Sequence, residues 1–147
     1  DEFANVPDRI EVPEVISIKN LGLKLNLKAS QILKKLFTLG VMDGVKEALT
    51  AGGMELVFDH SPGHTEGSVC IREESAGLLF SGDVLFNNGI GRTDLPTGSP
   101  AKMRTSLLKV FELDDAYRVF PGHGPTTTIG DERLHNEYLA AAIEGRI

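Results

Sequence analysis

The octapeptide Ser61-Pro62-Gly63-His64-Thr65-Glu66-Gly67-Ser68 places a histidine in a turn that contains proline and glycine. Short apolar segments with a period near two lie on either side of it, and this period predicts β-strands. Two more turns of this kind follow predicted strands, Ser81-Gly82-Asp83 and Pro121-Gly122-His123. Each of the three turns therefore presents a potential metal ligand at the end of a strand.

These three side chains are candidates for one shared site. If their strands lie in one sheet and point the same way, the turns meet at one edge, where open α/β sheets place their sites. Two imidazoles and one carboxylate suit zinc, or non-haem iron with open positions. We predict a metal site of His64, Asp83 and His123; the alternative is three ordinary loop residues.

The remaining pattern of residues 51–147 predicts an α/β fold. The predicted strands are Met54–Phe58, Ser68–Arg72, Leu78–Phe80 and Tyr117–Phe120. Residues 74–77 form a predicted turn. Ser99 followed by Pro100 starts one predicted helix, which ends near Leu113. A second helix is predicted from about Asp131 to about Glu144.

The first fifty residues follow a different pattern. Residues 1–10 are polar and read as a tail, whereas residues 11–42 show helical periodicity. Two short helices are predicted here, with Ile18, Leu21 and Leu25 on one face of the first and Ser30 as N-cap of the second. The period changes after Gly52-Gly53, so we place a domain boundary near residue 50.

Composition and charge narrow the class of protein. A chain of 147 residues with 41% hydrophobic and 24% charged residues is in the globular range. It has no apolar run long enough to cross a bilayer and no basic-then-apolar leader, so we expect a cytoplasmic protein without membrane contact. Its one cysteine, Cys70, lies in an apolar alternation and is expected to be buried and inert.

A run of lysines stands out against the net charge of −6. No acidic residue lies between Glu14 and Asp43, a stretch that contains Lys19, Lys24, Lys28, Lys34 and Lys35. We interpret these lysines as a solvated helix surface and do not expect nucleic-acid binding. The alternative is an RNA- or ribosome-binding face.

Four ordered motifs resemble the glyoxalase II-like branch of the metallo-β-lactamase superfamily. They are residues 61–68, Ser81-Gly82-Asp83-Val84-Leu85-Phe86, Gly89-Ile90-Gly91-Arg92-Thr93-Asp94-Leu95-Pro96 and Pro121-Gly122-His123-Gly124-Pro125 with the following Thr126 to Glu132. The resemblance implies half of an αββα sandwich and a small-molecule substrate. It also implies that His64 ligates one metal, Asp83 bridges two and His123 ligates the second. His60, Arg92, Asp94 and His135 fall outside the ligand positions.

The resemblance also implies an upstream His-x-His-x-Asp-His cluster, and this chain has no such cluster. We therefore predict one ion, zinc or alternatively iron, with water completing its shell. Residues 11–19 and 29–42 instead resemble the small N-terminal module of bacterial translation initiation factor 2. A helical segment packed on a half-domain, in a chain of chimeric origin, is the resulting expectation.

Three functions follow as hypotheses. The first is a metal-dependent hydrolase of ester, thioester or lactam substrates that uses this reduced site. The second is a catalytically silent chimeric fold that keeps a residual metal site. The third is an RNA- or ribosome-binding module that uses the lysine-bearing helices. The sequence leaves the oligomeric state open.

Overall fold

The computed structural model describes residues 4–32 and 55–146 of the chain. The strands in these residues are Val15–Ser17 (β1), Glu55–His60 (β2), Val69–Glu73 (β3), Leu78–Gly82 (β4), Leu85–Phe86 (β5), Gly89–Ile90 (β6), Arg118–Pro121 (β7) and Thr127–Thr128 (β8). Six of them form a mixed sheet in the order β1-β2-β3-β4-β7-β8, and β5 pairs with β6 in a separate hairpin. The α/β fold predicted from the sequence is confirmed.

The helices pack on both faces of this sheet. They are Ile18–Leu25 (α1), Pro100–Phe111 (α2), Ile129–His135 (α3) and Glu137–Ile143 (α4), and residues 29–32 are also helical. None of the helices in the described part of the chain is both long and apolar enough to cross a membrane.

Strand direction decides where the three turns lie. β3 is antiparallel to both β2 and β4, so β2 and β4 point the same way. β4 and β7 are parallel neighbours, with Leu79 opposite Val119 and Phe80 opposite Phe120. The ends of β2, β4 and β7 therefore meet at one edge of the sheet, as predicted.

An apolar core lies on each face of the sheet. One lies between the sheet and α2, α3 and α4, and Met103, Leu107 and Val119 in it have no exposed surface. On the other face Phe80 stacks against Phe120, with ring centroids 5.4 Å apart. The residues of α1 and of the helical turn at 29–32 cover that second face.

The N-terminal segment differs from the predicted pair of helices in its first part. Val15–Ser17 is a strand, because its backbone pairs with β2 in register with Val57 and Glu55. Ser17 then caps α1 by accepting a hydrogen bond from the amide of Asn20. The predicted packing is confirmed, since Ile16, Ile18 and Leu21 are buried in the core with Phe80 and Phe120.

Two predicted helix boundaries are wrong. Ser30 is not an N-cap, because the helix already includes residue 29 and the Lys28 carbonyl accepts from the amides of Gln31 and Ile32. The helix predicted from Asp131 to Glu144 is two helices, α3 and α4, divided at Asn136, which has an extended backbone (φ −85°, ψ 104°). Its side chain caps α4 by accepting from the amides of Tyr138 and Leu139.

Some predictions fall outside the described residues. The second predicted helix beyond residue 32 and the lysines Lys34 and Lys35 are among them. The boundary near residue 50 also stays a prediction. Across that boundary, β1 pairs with β2, and both sides contribute to one core.

Candidate metal centre

The turn that carries His64 is fastened to the start of α2. Gly63 has φ +143°, which only glycine adopts readily, and an added Cβ would lie 2.4 Å from the Cα of Met103. The amide of Ser99 donates to the carbonyl of Gly63 at 2.8 Å, and the buried Ser106 hydroxyl donates to the carbonyl of Pro62 at 2.7 Å. These contacts fix the backbone that presents His64.

The turns after β4 and β7 touch each other. Gly82 has φ +51°, and its carbonyl accepts a hydrogen bond of 2.8 Å from the amide of Gly122. A Cβ on Gly122 would lie 3.1 Å from that carbonyl oxygen and 3.3 Å from Oδ1 of Asp83. Glycine at position 122 therefore allows the turn before His123 to approach Asp83.

The carboxylate of Asp83 lies between two imidazoles. Its Oδ2 is 3.5 Å from Nε2 of His64, and its Oδ1 is 3.2 Å from Nε2 of His123. The three side chains become more exposed from His64 (17%) through Asp83 (38%) to His123 (78%). The structure thus brings all three predicted ligands together at a site open to solvent.

A hydrogen bond sets the orientation of the His64 ring. Its Nδ1 lies 2.8 Å from the carbonyl oxygen of Arg92, and a carbonyl can only accept, so Nδ1 carries a proton. In the neutral ring Nε2 is then unprotonated and turned toward Asp83. A metal-ligating histidine is commonly held in this way by a second hydrogen bond.

The imidazole of His123 is largely exposed but has an aromatic neighbour. The ring of Phe86 in the β5–β6 hairpin meets its imidazole edge-on, with ring centroids 6.0 Å apart. The hairpin itself starts two residues after Asp83. Phe86 therefore links the segment that follows one predicted ligand to the side chain of another.

The donor set fits zinc or iron in its chemistry, and each His–Asp83 pair fits in its spacing. Two ligands of one tetrahedral zinc, each about 2.0 Å from the ion, lie about 3.3 Å apart. Both His–Asp83 distances are close to that value, but each uses a different oxygen of the carboxylate. In the described part of the chain, no group of three or more His, Cys, Asp or Glu side chains is arranged to hold one ion. The site therefore consists of two pairs that share Asp83.

The residues predicted to lie outside the ligand set have other partners. Nε2 of His60 lies 2.5 Å from the carbonyl oxygen of Glu66, and His135 is exposed at the end of α3. Arg92 donates from two nitrogens to both carboxylate oxygens of Asp94, and this bond lowers the pKa of Asp94 to about 2. The backbone carbonyl of Arg92, which sequence reasoning did not single out, orients His64.

Two cavities lie near these elements. One of about 390 Å³ is lined by Ile90, Gly91, Arg92, Thr93, Pro100 and Tyr138. A larger one, about 480 Å³, lies between β2, β3 and α2 and is lined by none of the predicted ligands. Cys70 borders the larger cavity and is buried, as predicted; burial raises the pKa of its thiol to about 11.

Comparison with known proteins identifies related sequences. The family model for the Metallo-beta-lactamase superfamily matches residues 5–123. An uncharacterised protein of Mycobacterium tuberculosis is 43% identical over 104 residues, which are 67% of this chain and 46% of that protein. The hydroxyacylglutathione hydrolase GloC of Haemophilus influenzae is 40% identical over 94 residues, 63% of this chain and 44% of that protein. The chain spans about half the length of the curated relatives it matches.

Solved structures give the same relationship. The B3 metallo-beta-lactamase BLEG-1 superposes with a TM-score of 0.58 at 44% identity over 61% of this chain and 44% of that one. The protein TTHA1623 in a di-iron-bound form superposes with a TM-score of 0.55 at 40% identity, over 56% of this chain and 42% of that one. The expected resemblance of residues 11–42 to an initiation-factor module, and the chimeric origin, gain no support from these comparisons.

Proposed function

The chain belongs to the metallo-beta-lactamase superfamily, and we propose that it is a metal-dependent hydrolase whose ion is bound by His64, Asp83 and His123. The observation that carries this proposal is the carboxylate of Asp83 held between two imidazole Nε2 atoms at 3.5 and 3.2 Å. A bound zinc or iron ion would lower the pKa of water and polarise a carbonyl group of the substrate.

The protein's own groups prepare this site in distinct ways. The Arg92 carbonyl keeps the proton of His64 on Nδ1, so Nε2 remains available as a ligand. Asp83 has one oxygen toward each imidazole and supplies the only negative charge among the three groups. The imidazole of His123 is 78% exposed, so few contacts would oppose a rotation of its ring. We propose that this rotation lets all three side chains reach one ion.

The substrate class rests on the relatives and on the cavity beside residues 90–93. One relative is named a hydroxyacylglutathione hydrolase and one structure a B3 metallo-beta-lactamase, so carbonyl compounds with a thiol or amine leaving group are the first candidates. The adjoining cavity is mostly apolar, with Ile90, Pro100 and Tyr138 in its wall. We propose that it receives the apolar part of such a substrate.

Metal content and turnover measured on the same sample test the proposal. The chain is stripped with a chelator, reloaded with zinc or iron and assayed with a hydroxyacylglutathione, a nitrophenyl ester and a β-lactam. We expect about one equivalent of metal and turnover of at least one substrate by the loaded form. His64→Ala and His123→Ala should lose both, whereas the control His135→Ala should keep both.

Each contrary result has a defined meaning. Two equivalents of metal would show that each His–Asp83 pair holds its own ion and would overturn the one-ion assignment. Metal binding without turnover of any substrate would support the catalytically silent alternative. Absence of metal in the unmodified chain would overturn the metallo-hydrolase proposal as a whole.

A further inference from the structure

The carboxylate of Glu132 is buried and faces uncharged donors. Glu132 is 1% exposed and lies in the first turn of α3. Oε1 accepts from the amide of Asn88 at 2.6 Å and from Nδ2 of Asn136 at 3.1 Å, while Oε2 accepts from the Thr127 hydroxyl at 2.6 Å. Burying a carboxylate is costly, so a group satisfied by three separate segments indicates a defined role.

These donors belong to the segments that follow two predicted ligands. Asn88 is in the tight turn of the β5–β6 hairpin after Asp83, where its backbone has φ +62°. Thr127 is in β8, four residues after His123. Asn87 adds a bond of 3.3 Å to the carbonyl of Thr126. Glu132 therefore ties the hairpin after Asp83 to the segment after His123.

The hairpin touches both ligands. The amide of Gly91 donates to the carbonyl of Val84, which closes the hairpin beside the backbone of Asp83. On the other side, the Phe86 ring meets the imidazole of His123. Because the side chain of His123 is 78% exposed, the protein's own packing restrains it little, and the position of the hairpin matters correspondingly more.

We propose that Glu132 is a positioning residue that sets His123 against Asp83 by holding the Asn88 turn and Thr127 together. Within the metal site this proposal rests on the proposed function, but the contact between Phe86 and His123 exists without metal. Its effect can therefore be measured on the metal-free chain, independently of catalysis.

The buried carboxylate of Glu73 provides a matched control. It is 2% exposed and accepts from the amides of Ser75 and Ala76 in the β3–β4 turn. That turn lies at the end of the sheet opposite the predicted ligands. Loss of Glu73 should destabilise the fold through a similar loss of buried hydrogen bonds without moving His123.

The test compares Glu132→Ala, Glu132→Gln and Glu132→Asp with Glu73→Ala. The first readout is the NMR cross-peak between the Phe86 and His123 rings in the metal-free chain, and the second is Zn²⁺ affinity by titration. Glu132→Ala and Glu132→Asp should lose the cross-peak and weaken Zn²⁺ binding on the order of 10-fold to 100-fold. Glu132→Gln should restore both, because its amide oxygen still accepts from Asn88 and the Thr127 hydroxyl can turn to accept.

An unchanged cross-peak in Glu132→Asp would overturn the proposal, as would its loss in Glu73→Ala. If Glu132→Ala does not fold, the comparison of Glu132→Gln with Glu132→Asp decides alone. If the unmodified chain binds no Zn²⁺, the proposed function fails, and the ring cross-peak still decides whether Glu132 positions His123.

Discussion

Nδ1 of His64 lies 2.8 Å from the carbonyl oxygen of Arg92, although the two residues are 28 positions apart in the chain. The contact depends on Gly91, because a Cβ at that position would lie 1.8 Å from the carbonyl oxygen of Asp83 and 3.1 Å from Nδ1 itself. The orientation of one predicted ligand is thus set by a residue without a side chain.

The first prediction concerns Gly91→Ala. The methyl group has to displace the backbone of Asp83 or of the loop, so the bond from His64 to Arg92 is lost and Zn²⁺ affinity falls by about tenfold or more. Zn²⁺ titration measures this. Gly67→Ala is the matched control, because a Cβ there meets nothing within 4 Å. Equal affinities in the two variants would contradict the role of Gly91.

The second prediction compares two glycines with positive φ. Gly63→Ala combines φ +143° with a contact of 2.4 Å to Met103, so it should cost at least about 3 kcal/mol in the free energy of unfolding. Gly77→Ala, at φ +68° in open space, should cost only about 1 kcal/mol. Denaturant unfolding gives both values, and a similar loss in both variants would refute the packing argument.

The third prediction concerns Cys70. Because burial raises the pKa of its thiol to about 11, the thiol stays protonated at neutral pH and should react with a thiol reagent only after unfolding. An absorbance assay with and without denaturant shows this. Fast labelling of the folded chain at pH 7.5 would contradict the buried position.

The same shift in pKa makes stability depend on pH. An unfolded thiol has a pKa of about 8.5, which is lower than the pKa in the folded chain. Below pH 8.5 the contribution of the Cys70 thiol to the free energy of unfolding is therefore complete. It is lost as pH rises toward 11. Between pH 8 and 10.5 the unmodified chain should lose about 2 kcal/mol more than Cys70→Ala does. If the two proteins lose the same stability over this pH range, the raised pKa of Cys70 is contradicted.

The fourth prediction tests whether the N-terminal segment is part of the fold. Ile16 is 4% exposed in the core shared with Phe80, so Ile16→Ala should cost about 2–5 kcal/mol in the free energy of unfolding. Leu23 is 69% exposed, and Leu23→Ala should stay within about 0.5 kcal/mol. If Ile16→Ala leaves the free energy of unfolding unchanged, the segment does not fold together with the sheet.

Sequence alone was sufficient for four of the eight described strands and for the choice of candidate ligands. The period of two predicted β2, β3, β4 and β7 to within a few residues, because each strand has one face or both faces in a core. The Gly- and Pro-containing turns marked His64, Asp83 and His123, since the strand ends carry the chemistry of such sheets.

Local pattern failed where distant contacts override it. Val15–Ser17 has a helical neighbour and only three residues, so its pairing with β2 is what makes it a strand. Gly22 lies inside α1, where glycine costs about 1 kcal/mol relative to alanine. A Cβ there would lie 2.6 Å from the carbonyl oxygen of Leu27, so the close approach of that loop requires glycine. The break at Asn136 likewise depends on its bonds to Gly89 and Glu132.

The sequence by itself determined which residue types stand at the ends of three strands, because strand period and turn chemistry are local properties. Only the tertiary structure decided how these side chains face one another: one oxygen of Asp83 toward each imidazole, His64 held by Arg92, and the hairpin after Asp83 tied by Glu132. Those contacts join residues 19 to 44 positions apart in the chain, and no local pattern encodes such distances.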